Sequence, residues 1–142
     1  MACRWERSLN PLDANFGRVL LRVSAAAMMV IHGVYRAANG GVSGFGEFLS
    51  AQGFPLGTPL AWLLTAVEIA GGAALLLGYF VVPLCAWFAA QLLAGIALVH
   101  FREGWFVVGG GRNGMEYSVL LILCFVITAL LHAAKSTRAL NS

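Results

Sequence analysis

Charge is scarce in this sequence. Asp, Glu, Lys and Arg make up 11% of it, whereas soluble domains carry about 25%. So few charges cannot cover a water-exposed surface, which excludes an ordinary soluble domain. The 60% apolar content and a mean hydropathy of +0.82 place the chain in the membrane class. The net charge of +3 calls for no nucleic-acid partner, because membrane proteins gather Lys and Arg on the cytoplasmic side. Cysteine is sparse as well. Cys3, Cys85 and Cys124 form no CxxC and lie far apart, which argues against a disulfide framework and an iron–sulfur pattern. No haem-attachment motif is present, and no dinucleotide fingerprint in its strand–turn–helix setting. Cys85 and Cys124 sit in apolar runs and are expected to be small buried hydrophobes. No repeat or low-complexity tract stands out, and the length suits one domain, 1–142.

Long apolar runs are what the chain does have. A bilayer crossing takes about 20 mostly apolar residues. Four runs qualify: about Phe16–Ala37, Thr58–Val81, Leu84–Phe106 and Asn113–Ala134. Each is apolar around all its faces, so the expected fold is all-α, a polytopic four-helix membrane bundle. The first run is read as a span and not as a cleaved leader, because cleavage near "YRAAN" would discard His32 and leave Arg36 at the cut. The glycine-rich stretch Asn39–Gly57 holds Phe45, Phe48 and Leu49 on one helical face. It is expected to form a short interfacial helix in the first outer loop. Pro83 suits the start of the third helix.

Basic residues set the direction. Arg4, Arg7, Arg18, Arg22, Lys135 and Arg138 fall on one side, and Arg36, Arg102 and Arg112 on the other. By the positive-inside rule both termini are expected in the cytoplasm, at the inner membrane.

An ionisable residue inside lipid is expensive and is by default a functional candidate. At a rise of about 1.5 Å per residue, His32, Glu68, His100 and Glu116 all fall in the outer half, one from each span. Arg18, Arg22, Ala25, Met29, His32 and Arg36 form one stripe on the first span. Glu68 is therefore expected to point into the bundle, with Arg36 as its charge partner. Thr65 and Gly72 share its face, and Gly72 is expected to leave room beside the carboxylate. Ala66, Ala70 and Ala74 form a small-residue row suited to close helix packing. Trp62, Trp87 and Trp105 fit interfacial anchors or packing, and His132 lies apart from the rest. Two His and two carboxylates could ligate Zn or Fe. No HxxxH or ExxH pair supports this, and no metal site is expected.

The stretches "IHGVYRAANG", "SAQGFP", "AVEIAGGAALLLG", "AGIALVHFREGWF" and "NGMEYSVLL" together resemble the successive motifs of DoxX-like membrane proteins. The resemblance covers about Phe16–Leu131 and lies in the order and spacing of the motifs. It implies a four-helix membrane subunit of an oxidoreductase; archetypes belong to a thiosulfate:quinone oxidoreductase and to terminal-oxidase-associated chains. The family's polar positions fall on His32, Arg36, Glu68, His100 and Glu116. The chain carries Arg36 where lysine is common in the family. It also lacks the frequent arginine after the second span and ends differently, in "KSTRALNS".

Two functions follow as expectations. One is a quinone-linked oxidoreductase subunit, in which Glu68, His32 and His100 act on the head group while Arg36 and Glu116 bind it, with a redox partner protein supplying electrons. The other is a non-catalytic membrane anchor or assembly partner of a redox complex. Self-association stays open.

Overall fold

The computed structural model describes residues 11–140, with side chains described for 15–134. Cys3, Arg4 and Arg7 lie outside the described residues, and so do the side chains of Lys135 and Arg138. The described residues are helical, with no strand. Four helices are long and apolar enough to cross a membrane, at Asn15–Ala38, Gly57–Leu77, Val81–Glu103 and Glu116–Ala134. We label the helices α1 (Pro11–Ala38), α2 (Gly41–Ala51), α3 (Gly57–Leu77), α4 (Val81–Glu103) and α5 (Glu116–Leu140).

Their ends follow local backbone chemistry. After α1, the Asn39 side-chain amide donates to the Tyr35 carbonyl at 2.9 Å. Gly40 then turns left-handed at φ 68°, a stop that glycine makes without a Cβ clash. The second span ends at Leu77, not at Val81 as expected. Gly78 at φ 87° closes α3 with Tyr79 N–H bonded to the Ala74 carbonyl and Gly78 N–H to that of Leu75, the Schellman pattern. The third span then starts and stops three residues early, at Val81 and Glu103, because Gly104 at φ 86° halts it. The fourth begins at Glu116 and not at Asn113. Asn113 is itself left-handed, at φ 57°, and the N–H groups of Gly114, Met115 and Glu116 bond back to the carbonyls of Phe106, Gly104 and Trp105. The 104–115 loop is thereby folded onto itself.

Two of the long helices contain a π-helical turn, Val67–Gly71 in α3 and Ile96–His100 in α4. Such turns widen the helix locally and occur often at functional sites.

Helix α1 packs along α3 and also against α5; α4 and α5 pack on each other; α3 meets α4 chiefly near their shared turn. The dry core lies toward that turn. Phe88 and Phe125 are fully buried there with ring centroids 5.4 Å apart, surrounded by Ala25, Ala26, Met29, Leu75 and Cys85. Cys85 and Cys124 are free thiols packed in or against this core. Many large apolar side chains of the spans face outward, among them Phe16, Leu20, Ile31, Leu93 and Leu130. That outward face suits lipid, and the chain is an integral membrane protein.

Helix α2 occurs as expected, but its apolar face is turned inward. Val42 and Leu49 are buried against Ala61 of α3, with Phe45 and Phe48 half-buried beside them and Glu47 exposed. Gly46 permits this approach, since a Cβ there would fall 2.6 Å from Thr58 Cα. The small-residue row has also gone elsewhere than expected. Ala70 and Ala74, with Gly71 and Val67, border a shallow apolar groove completed by Phe80, Leu84 and Trp87 of the next segment.

Candidate functional site

At the end of the bundle opposite the α3–α4 turn, the five helices surround a cavity of about 780 Å³. Its walls are mostly apolar, with Phe48, Leu60, Leu64, Trp87 and Leu98 among them. The polar residues on its border include His32, Arg36, Glu68, Gln91, His100 and Asn113.

Glu68 is the centre of this polar wall. It lies in the π-helical turn of α3 and is 1% exposed. A buried carboxylate needs a counter-charge and hydrogen bonds. Arg36, near the end of α1, supplies both. Its Nη1 lies 3.0 Å from Glu68 Oε2, and its Nη2 donates to Glu68 Oε1 at 3.2 Å. The same Nη1 donates to Thr65 Oγ1 at 3.0 Å, and the Thr65 hydroxyl donates onward to the Ala61 carbonyl at 2.7 Å. From the other side Gln91 of α4 donates its Nε2 to Glu68 Oε1. Above, the guanidinium sits 4.4 Å from the centroid of the Phe45 ring, within cation–π range. Arg36 thus ties α1, α2 and α3 together, and Gln91 brings in α4.

Glycine makes this approach possible. A Cβ on Gly33 would lie 2.9 Å from Glu68 Cβ and 2.9 Å from Ile69 Cγ1. Gly72, by contrast, opens no space beside the carboxylate. A Cβ there would meet Val30 Cγ2 at 2.6 Å, so the missing side chain is used for packing α3 against α1. At the other end, a Cβ on Gly78 would collide with the Arg22 guanidinium. Arg22 therefore sits against the C-terminal end of α3, where a cation is favoured by the helix dipole.

The other expected site residues divide. His100, in the π-helical turn of α4, borders the cavity and has Nδ1 2.7 Å from the Asn113 carbonyl oxygen. His32 borders the cavity too, on its exposed edge. Glu116 stands off the cavity wall. Its Oε1 accepts the Val107 N–H at 3.1 Å, so it pins the loop that precedes its own helix. Among the described residues, no three of His, Cys, Asp and Glu come together as metal ligands.

Gln91 and Phe45 do not stand out as site residues in the sequence. Gln91 carried the one available signal, as the only amide in the third apolar run. Polar residues in membrane helices tend to hydrogen-bond to a neighbouring helix.

Fold and site together define a small polytopic helical membrane protein with a buried ion pair beside a cavity between its helices. Residues 17–102, more than half of the chain, match the family DoxX, and the chain belongs to that family. The match spans most of α1, all of α2 and α3 and nearly all of α4, with His32, Arg36, Glu68, Gln91 and His100 inside it and Glu116 beyond it. Comparison with curated proteins and with solved structures found no match.

Proposed function

We propose that this chain is the membrane subunit of a quinone-linked oxidoreductase and that the cavity receives the head group of the lipophile. The observation that carries the reading is a buried, ion-paired carboxylate on the wall of a large, mostly apolar cavity within a membrane bundle. A volume of about 780 Å³ falls in the usual range of small-molecule sites, about 300–1,000 Å³. Apolar walls with a few convergent polar groups suit a ring bearing polar oxygens and an apolar tail, so the residues fit such a group. When bound, a quinone would supply a ring that exchanges protons together with electrons.

The chain's own residues have separable tasks. Leu60, Leu64, Trp87 and Leu98 exclude water and hold the ring and tail. Glu68 and His100 can hold or pass a proton at the polar wall. Arg36 fixes the position of Glu68. His32, at the exposed edge, can exchange protons between the cavity and its surroundings. A partner protein exchanges the electrons. The basic-residue asymmetry supports an inner-membrane orientation with both termini cytoplasmic and the cavity end facing outward.

Purification in mild detergent, with mass spectrometry of extracted lipophiles and co-purifying chains, tests this reading. A quinone-class lipid retained by the wild type and depleted in Glu68→Gln is expected. Bulk phospholipid alone, in both proteins, would sink it.

The second reading is a non-catalytic anchor or assembly partner. One observation favours it: Arg36 is engaged at once by Thr65, Glu68 and Phe45, as a structural tie between helices would be. A stable partner protein recovered without any bound lipophile would select it.

A further inference from the structure

Donors and acceptors around Glu68 are unevenly matched. Arg36 Nη2 and Gln91 Nε2 both donate to Glu68 Oε1, and Arg36 Nη1 donates to Thr65. Among the described residues, two buried side-chain atoms have no hydrogen-bond partner, Glu68 Oε2 and Gln91 Oε1. Arg36 Nη1 gives Glu68 Oε2 an ion-pair contact, while Gln91 Oε1 has not even that. Both atoms are acceptors. The Gln91 amide is oriented by its neighbour, since turning it over would press Oε1 against the Glu68 carboxylate.

His100 adds a third acceptor. Its Nδ1 faces the Asn113 carbonyl oxygen at 2.7 Å, and a carbonyl can only accept. A ring hydrogen therefore sits on Nδ1, and in that neutral tautomer Nε2 carries a lone pair. All three acceptors belong to residues that border the cavity. Of the three, Glu68 Oε2 and Gln91 Oε1 are buried without a hydrogen-bond partner; acceptors left so are costly and uncommon, and what completes them must donate.

We propose that the site selects a lipophile whose polar head donates hydrogen bonds, a phenol or the hydroxyl-bearing hydroquinone form, over heads that only accept, such as a quinone or an ether. This rests on the lipophile-binding reading above and specifies which form the cavity is built to hold. Gln91 is the specificity-determining residue, with its Oε1 receiving the head-group hydroxyl. Glu68 has a second role here, because the bond it accepts from Nε2 is what turns Oε1 away from the carboxylate and leaves it open to the ligand.

Two non-redox probes with the same ring and tail isolate the donor: 4-nonylphenol and its methyl ether. The full chain in lipid nanodiscs is titrated with each by tryptophan fluorescence, with affinities expressed per mole fraction in the bilayer and corrected against empty nanodiscs. The phenol is expected to bind about tenfold more tightly, as one buried hydrogen bond allows. In Gln91→Leu the preference should shrink to about threefold or less, through loss of phenol affinity alone. Equal affinities in the wild type, or an undiminished preference in Gln91→Leu, would overturn this inference and leave the lipophile reading standing. Saturation by neither probe would remove both. If Gln91→Leu does not assemble, the wild-type comparison decides alone.

Discussion

Arg36 and Glu68, separated by 32 positions in the chain, form an ion pair of 3.0 Å between α1 and α3. The carboxylate is 1% exposed and the arginine side chain 14%, so the pair is held away from water and each charge depends on the other. Removing one partner of a buried pair typically costs about 3–5 kcal/mol, whereas removing both often costs far less. Glu68→Gln alone is therefore expected to lower the detergent melting temperature, and Glu68→Gln combined with Arg36→Gln to recover most of the loss. A double variant no more stable than the single one would show that the pair is not what holds α1 to α3.

Glycine 33 is the contact point of those two helices. Gly33→Ala puts a methyl within 2.9 Å of two α3 side-chain atoms, and overpacking of this kind costs about 1–3 kcal/mol. Gly17→Ala, where nothing lies within 4 Å, serves as the control and should be neutral or mildly stabilising. Thermal melting of the two variants side by side checks the contrast. Equal melting temperatures would count against the close approach at Gly33.

Glu116 should matter to the loop and little to the cavity. Glu116→Ala removes the acceptor of the Val107 N–H. Hydrogen exchange at Val107 should accelerate, while lipophile retention stays within about twofold of wild type, an effect below that of one lost hydrogen bond. Loss of retention in a well-folded Glu116→Ala protein would return this residue to the binding site.

The orientation can be read by chemical labelling. Cysteines are placed singly at Ser43, in α2, and at Tyr79, in the exposed α3–α4 turn, in a background free of native cysteine. An impermeant thiol reagent applied to intact cells should label Ser43→Cys and spare Tyr79→Cys. The reverse pattern would invert the topology.

The four spans were legible because a bilayer imposes a length that composition alone reveals. Their ends were less so. Val81 and Leu84 look equally apolar, and the boundary was set by Gly78 and Gly104 taking positive φ, which hydropathy does not register. The Arg36–Glu68 pairing could be anticipated, because a carboxylate in an apolar run needs a cation and the polar stripe of the first span offered one. Gln91 offers less: as the lone amide of its run it invites a partner on another helix, but with no periodicity to say which. Gly72 is ambiguous in the sequence for a related reason. A glycine beside a carboxylate can make room for a ligand or for a neighbouring helix, and only Val30 decides between them. Nor does the apolar face of α2 say whether it meets lipid or protein. Gly46 and Thr58, touching across α2 and α3, settle that.

The order in which the partners of Glu68 appear along the chain also bears on how such a charge enters a membrane at all. Arg36 lies upstream of it and Gln91 downstream, and α4 packs chiefly on α5. During synthesis the arginine is therefore already made when the glutamate emerges, and Thr65 follows the same order. The second span can be handed to the bilayer with its carboxylate already matched, before any later helix exists. The link to Gln91 closes afterwards, when the second helical hairpin arrives, and only then does the cavity have all its walls.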